Sequence, residues 1–415
     1  MIVASLEEVA PVSSPSHGAG ALQAALLTSG DELRRLEPDW RELFRRIDCP
    51  SPFLSFDWLN TWWENFGADL RLYVIAVRDR EQRLVALAPL CLAANAKGLL
   101  RGRRLGFLGP GPSDRLDLLV DAARLAPAVH AIADLLVERS REWDCIELTE
   151  CDENSASLIE LRDTLRKRGF SEQIAAGSVC PYVALPPTFD DYLQELGPNL
   201  RRNFRRRLKA LQRHGKVEFL ACSDIDNVRT GFEELIALHG LRFSQKGEAS
   251  GFLERELPFH RAILRTPLGS DRARLFALRL DGRAIGTWYG FSLGSVFYSY
   301  QSGMDPKWSH LSVGLVTLGS TIEAAIGQGH REVDFLRGDE EYKFQWTSRS
   351  RRNLNVLLFS QRPRSQAARL GAAVQSRARS IEKKLRGLAK AALVRMGLRS
   401  EKRGRTSEGE QAQEH

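Results

Sequence analysis

No stretch of this chain reaches the roughly 20 consecutive apolar residues that a membrane-spanning helix needs. The N-terminus has neither the basic start nor the apolar run of a secretory signal, and Glu7 and Glu8 interrupt it early; residues 1–25 read as a flexible lead-in. None of Cys49, Cys91, Cys145, Cys151, Cys180 and Cys222 belongs to a C-x-x-C pair, and all lie scattered through apolar stretches, which predicts buried thiols in a reducing compartment. The eight histidines lack the H-E-x-x-H spacing of a metal site, so no metal is expected. A Walker P-loop is absent, and Gly106, Gly109 and Gly111 come in the wrong order for a dinucleotide fingerprint. No Ser-His-Asp set is evident. These absences leave a cytoplasmic, folded protein that works without covalent or metal chemistry.

The net charge of +8 is concentrated at one end. Residues 361–415 hold 14 Lys and Arg against 5 Asp and Glu, which leaves 46 against 47 for residues 1–360. The body is neutral, which argues against nucleic acid as a partner. Within the tail, Ala367, Leu370, Val374, Ile381, Leu385, Leu388 and Ala392 recur among Arg and Lys as in a basic amphipathic helix. Such a helix would lie on an anionic membrane surface, peripheral to the inner membrane, or on an acidic partner, and residues from about 401 read as disordered.

Two halves follow the same order of elements. In the first, about 26–185, an aromatic helix (56–66) precedes two strands (72–77 and 84–93), a glycine-rich loop, a strand at 117–121, a helix at 125–141, a strand at 144–150 and a helix closing at Gly169. In the second, about 186–360, strands at 273–280 and 284–293 turn at Gly294 into a strand at 295–303. A loop, a helix from Ser312 to Gln328 and the strand at 332–336 follow. This order predicts an internal duplication of a mixed α/β unit. Between the halves, Leu200, Phe204, Leu208 and Leu211 form the apolar stripe of a helix covered by Arg201, Arg202, Arg205, Arg206, Arg207, Lys209 and Arg213. A solvated face accounts for most of these cations; a phosphorylated ligand or an anionic surface is the alternative.

Chemistry concentrates in residues 296–346. A helix starting at Ser312, with Gly314 adding no side chain, would present free N–H groups and a partial positive charge suited to phosphate, with Lys307 nearby. The strand at 332–336 leads into Asp339, Glu340, Glu341, Tyr342 and Lys343, which offer a base, an acid and a cation flanked by Phe335, Phe344 and Trp346. Tyr298 and Tyr300 share a strand face, which lines a cleft or packs on a helix. Arg242, near a helix C-terminus, is a dipole-compensating cation or an anion ligand.

The segments RRNFRRRLKALQRHG, LHGLRF, LRLDGRAIGTWYGF, FYSYQSGMDPKWSHLSVG and GHREVDFLRGDEEYKFQWTSR, with GPGPSDRLDLLV in the first half, resemble the CelD-like acetyltransferases of the GNAT superfamily. Those enzymes often accompany cellulose or exopolysaccharide synthesis and are similar in build to FemAB peptidyltransferases. The resemblance spans about 30–358 and implies an α/β (α+β) fold, a tandem duplicated GNAT-like architecture with mixed central sheets flanked by helices. It also implies an acyl-CoA donor, acetyl-CoA or another, with its pyrophosphate at Trp308, Ser309, His310, Leu311, Ser312, Val313 and Gly314. The acceptor would be a small molecule or glycan precursor, with Arg242, Asp114 and Arg205 as substrate contacts. The loop departs from the usual R/Q-x-x-G-x-G/A pattern. On this reading Asp339 takes the acceptor's proton, Tyr342 or Tyr300 protonates the leaving thiolate, and Lys343 balances charge. The rivals are a FemAB-type transferase that takes its aminoacyl group from tRNA held by the Arg-rich helix, and a non-catalytic scaffold at a polysaccharide synthase.

Overall fold

The computed structural model describes residues 22–374 other than Pro50, 95–101, Glu248 and Gly251. The lead-in up to residue 21 and the tail from 375 lie outside the described residues. Of the tail, residues 363–374 are helical and dock through Ala368 and Ala372 against Cys145 and Phe359. No described helix is long and apolar enough to cross a membrane.

The strands are β1 (Gln23–Leu27), β2 (Leu70–Arg78), β3 (Leu84–Ala93), β4 (Arg104–Phe107), β5 (Leu119–Val120), β6 (Cys145–Asp152) and β7 (Ser171–Ala184) in the first half. The second half contributes β8 (Val217–Cys222), β9 (Ala273–Leu280), β10 (Arg283–Leu293), β11 (Val296–Met304), β12 (Glu332–Asp334) and β13 (Ser350–Phe359). All described strands join one sheet in the order β1-β2-β3-β4-β6-β13-β7-β12-β11-β10-β9-β8, with β5 paired to β3. The hairpins are local: β9 and β10 turn at Asp281 and Gly282, both left-handed with φ of 49° and 77°, the geometry that matches strand twist.

The duplication is real, and the halves are interlocked. Each contains one parallel pair at corresponding places: β4 with β6 (Arg104–Gly106 against Cys145–Glu147) and β11 with β12 (Val296–Tyr298 against Glu332–Asp334). The last strand of each half crosses into the other. β13 inserts between β6 and β7, while β7 pairs with both β13 and β12. The mixed central sheets expected of the two halves are thereby continuous, with β7 and β13 satisfying backbone groups on both sides at once.

Several local expectations change. The third strand of the first half is β4, read from sequence as part of a glycine-rich loop; of 117–121 only the two residues of β5 pair. Residues 108–118 leave the sheet between these two strands as one excursion. Ser312 occupies the helix start, but its hydroxyl makes no cap bond; a 3-10 turn (Pro306–Leu311) runs straight into it and leaves its backbone left-handed, φ 55°. The thiols are placed as expected: five are buried, and burial pushes Cys49, Cys91, Cys145 and Cys180 up to about 12.

The core joins the halves through the aromatic helix Phe56–Phe66, capped by Ser55. Trp58 is fully buried and packs edge-on against Phe53, Phe259 and Phe291, the last two from the second half. Asp57 pairs with Arg41 and accepts the Leu268 amide at 2.9 Å.

Strand exchange has a measurable consequence. Leu358 on β13 is fully buried in the core of the first half. Leu358→Ala should cost about 2–5 kcal/mol. Because five of the eight tryptophans precede residue 186, their fluorescence in a denaturant titration should shift with the far-UV signal as one transition; two separated transitions would mean that the halves fold independently.

Candidate active site

The parallel strands β11 and β12 part company after Tyr298 and Asp334. β11 continues to Met304, whereas the chain after β12 bends away, with Leu336 left-handed at φ 56°. A cleft of about 230 Å³ opens between them, lined by Ser299, Tyr300, Gln301 and Ser302 on one side and Phe335, Leu336 and Arg337 on the other. Trp288, Glu256, Glu340, Tyr342 and Lys343 also line it. Pro112 and Asp114, from the excursion 108–118 of the first half, complete the lining.

That excursion is clamped to the second half. Arg337 donates its backbone N–H to Asp114 Oδ2 at 3.0 Å and its guanidinium to the carbonyls of Ser113, at 3.2 Å, and Gly111. Tyr300 donates its hydroxyl to the Pro112 carbonyl at 2.8 Å. Arg115 pairs with Asp334, whose side chain is fully buried. From beneath, Trp58 Nε1 donates to Ser113 Oγ at 2.8 Å and Trp62 Nε1 to the Pro110 carbonyl at 3.0 Å. Gly109, at φ 104°, lets the loop leave β4, since a β-carbon there would collide with Ser113 Oγ and Leu59.

Of the three carboxyl groups that line the cleft, Asp114, Glu256 and Glu340, the last is paired with Lys343. Asp114 is 4% exposed, and its Oδ1 has no hydrogen-bond partner among the described residues. Burial pushes its carboxyl above the ordinary range, partly countered by Arg337. Glu256, at the end of a π-helical turn (Phe252–Glu256), lies 3.3 Å from the Tyr300 hydroxyl; burial raises it too, against the pull of Arg337 and of that hydroxyl. Burial likewise holds the Tyr300 phenol protonated, well above its ordinary value. His260 packs against the Tyr300 ring, centroids 4.5 Å apart, fully buried and kept neutral by burial, down to about 3.

The structure brings Asp114, Tyr300, Tyr342 and Lys343 to this cleft. Lys343 is 4% exposed, and its Nζ donates to the carbonyls of Arg337 at 2.8 Å and Gly338 at 3.4 Å and pairs with Glu340 at 2.9 Å. It thereby fixes the turn that carries Arg337. Asp339 is exposed and lies outside the cleft lining, because that turn directs it outward. Arg242 does not line the cleft but lies close enough to Tyr342 and His239 to act on both electrostatically. Arg205 is on the outer face of the helix Pro198–Gln212, in an exposed pair with Asp190. Glu256 escaped the sequence reading: it sits in an irregular turn, 44 residues before its partner Tyr300, and no periodicity marks it.

The segment 308–314 lies at the far end of the same strand. Met304, two residues beyond Ser302 and thus about 7 Å along β11, lies directly against Gly314. Val313 and Gly314, first in the helix Val313–Gly327, have amides that their position denies an intrahelical partner. Trp308 and His310 stack beside them, Lys307 lies over Trp308 at 5.4 Å, and Arg207 donates to the His310 carbonyl at 3.0 Å. An amide mouth with cations therefore adjoins a polar cleft with buried carboxyl groups, an arrangement able to hold a phosphorylated carrier and accept a proton at its reacting end.

Residues 198–344 match the family model described as an acetyltransferase (GNAT) domain. The chain thus carries a GNAT-type acyltransferase domain, and it is the one whose diverging strands form the cleft. No curated protein matches the chain. Among solved structures, FemX superposes with a TM-score of 0.55 at 12% identity, covering 79% of this chain and 97% of that one. A conserved protein of unknown function from Bacteroides thetaiotaomicron gives 0.52 at 12%, covering 81% and 100%. The C-terminal domain (DUF2156) of a putative lysylphosphatidylglycerol synthetase from Agrobacterium fabrum gives 0.50 at 9%, covering 83% and 96%. At these identities the likeness is one of fold.

If Arg337 is what holds the excursion, Arg337→Ala should raise amide hydrogen exchange across residues 109–116 by about tenfold or more, equivalent to one or two lost hydrogen bonds. Exchange unchanged there would show that Trp58 and Trp62 suffice.

Proposed function

We propose that the second half is an acyl-CoA-dependent N- or O-acyltransferase, with its donor in the cleft between β11 and β12 and the donor's pyrophosphate at Trp308–Gly314. The observation that carries this reading is the continuity along β11 from the buried carboxyl groups to the amide mouth at Gly314. The unusual sequence of that loop, W-S-H-L-S-V-G, does not weaken it, because amides rather than side chains make such a grip.

The acceptor amine or hydroxyl attacks the thioester carbonyl, its new bond to the acyl carbon forms, and the carbon–sulfur bond breaks. Glu256 is our choice for the group that takes the acceptor's proton. It faces the cleft with a raised affinity for protons, whereas Asp339 is exposed on the outer turn and lies outside the lining. Asp114, with one oxygen unpaired, orients the acceptor. Tyr300 or Tyr342 returns a proton to the leaving thiolate. Lys343 keeps Arg337 and the cleft wall in place. The resemblance to CelD-like enzymes suggests a sugar or a cell-envelope or exopolysaccharide precursor as acceptor.

Glu256→Gln should lower kcat by about 10²- to 10⁴-fold while leaving the acetyl-CoA dissociation constant within about twofold. Activity is expected to fall as pH drops through the raised value of Glu256, so the acid limb of the kcat/KM profile should lie above the ordinary glutamate range and vanish in the variant. Saturating acyl-CoA at a hundred times its dissociation constant should stabilise the fold by about 2.7 kcal/mol. If no CoA thioester of any chain length raises the melting temperature, the donor assignment is wrong.

A second reading has its own support. Arg201, Arg202, Arg205, Arg206, Lys209 and Arg213 occupy one outer face of the helix Pro198–Gln212, and among the described residues only Arg205 has an acidic partner. Such a face suits an aminoacyl-tRNA donor. Retention of tRNA at moderate salt, with a steep salt dependence, would favour that donor over acyl-CoA.

A further inference from the structure

A second cavity lies where the two halves meet, lined by first-half residues and by Val296 and Tyr298 of β11, Glu332 of β12 and Arg351 of β13. It measures about 470 Å³, within the range of small-molecule sites. It lies beyond the end of β6, at Asp152, and beside the start of the helix Ala156–Lys167. The two cavities are neighbours: Tyr298 of β11 lines this one and Tyr300 the other, and the excursion 108–118 presents Asp114 to the cleft but Arg115 and Asp117 here. Phe53 stands against both tyrosines, 6.1 and 6.3 Å from their rings.

The walls are mostly apolar, with Leu54, Leu118, Val120, Leu125 and Val296 prominent. Their charge is unbalanced. Arg115 and Arg351 both turn to Asp334, and Arg351 also grips Glu332 through two contacts at 2.6 and 2.7 Å, so the cations are committed. Asp117 and Asp152 form no ion pair among the described residues. Asp117 Oδ1 receives the Ser157 hydroxyl at 2.6 Å and the Leu118 amide at 2.7 Å. Ser51, 7% exposed, lines the same cavity, and its hydroxyl has no partner among the described residues. A buried polar atom left unpaired inside a roomy apolar cavity calls for a ligand to complete it.

We propose that this cavity is a second ligand site that takes an apolar molecule bearing a protonated amine, with the ammonium on Asp117 and the hydrocarbon against Leu118, Val120 and Leu125. An ammonium supplies the cation that the two free carboxylates lack, and the Ser51 hydroxyl accepts one of its remaining N–H groups. Neither an anion nor a neutral alcohol answers that charge. The site does not depend on which donor fills the cleft of the second half.

Calorimetry with n-hexylammonium on the whole chain, against hexan-1-ol and hexanoate, tests this. Hexylammonium should bind at least tenfold more tightly than either, since a hydrogen bond to a charged group is worth about 1.5–3 kcal/mol. Burial holds Asp117 at about 6, with the Asp152 charge adding to the rise, against its bonds from Ser155, Ser157 and Leu118 and with Arg115 and Arg351 committed elsewhere. Affinity should therefore rise between pH 5 and 7 as that carboxyl ionises. Asp117→Asn should abolish the preference for the amine. Should that variant fold poorly, Ala122→Trp, at the exposed rim, should block binding while leaving acetyl-CoA binding unchanged. Equal binding of hexanol, a pH-independent affinity, or undiminished binding in Ala122→Trp would overturn the proposal.

Discussion

A buried ion pair between Arg115 and Asp334 holds the two halves in the register that creates both cavities. Asp334 ends β12, at the point where it leaves β11. Arg115 sits on the excursion 108–118, which reaches across to the second half. A pair so far removed from water stabilises little by itself, since desolvation offsets most of the attraction. Its effect is positional: either charge alone would be costly, so the excursion cannot drift. The peptide geometry then sets Asp114 toward the cleft and Asp117 away from it.

The exchange of β7 and β13 belongs to the same arrangement. Each half of a duplicated unit has an unpaired edge beside its last strand, and unpaired edges invite association. Here each half covers the other's edge. One continuous sheet results, with a cleft where β11 and β12 diverge and a second cavity against the same pair of strands. Their linings differ. One has polar strand residues and an adjoining amide mouth; the other is mostly apolar, with Asp117 and Asp152 outside any ion pair among the described residues.

Legibility followed locality. The hairpins at Asp281–Gly282 and Gly294, the aromatic helix with its Ser55 cap, and the helix Val313–Gly327 are written in residues a few positions apart. Tyr300, Tyr342, Lys343 and Asp114 were legible as members of a site because they lie in segments with a family resemblance. Asp339, Glu340 and Glu341 are equivalent carboxylates in sequence, and only the Lys343 staple reveals which side of the turn faces water. Glu256 carries no mark at all. β13 offered alternation in NLNVLLF, but its partners lie about 180 and 210 residues away.

The sequence by itself determined the repeated order of elements, the neutral body with its basic tail, and the tight turns, because each depends on composition or on contacts within a single turn of chain. Only the tertiary structure decided which strands exchange, which carboxyl groups lose their water, and which side of the 108–118 excursion faces which cavity. Those outcomes depend on desolvation and on pairing between residues more than two hundred positions apart, such as Arg115 and Asp334, and no local pattern encodes either.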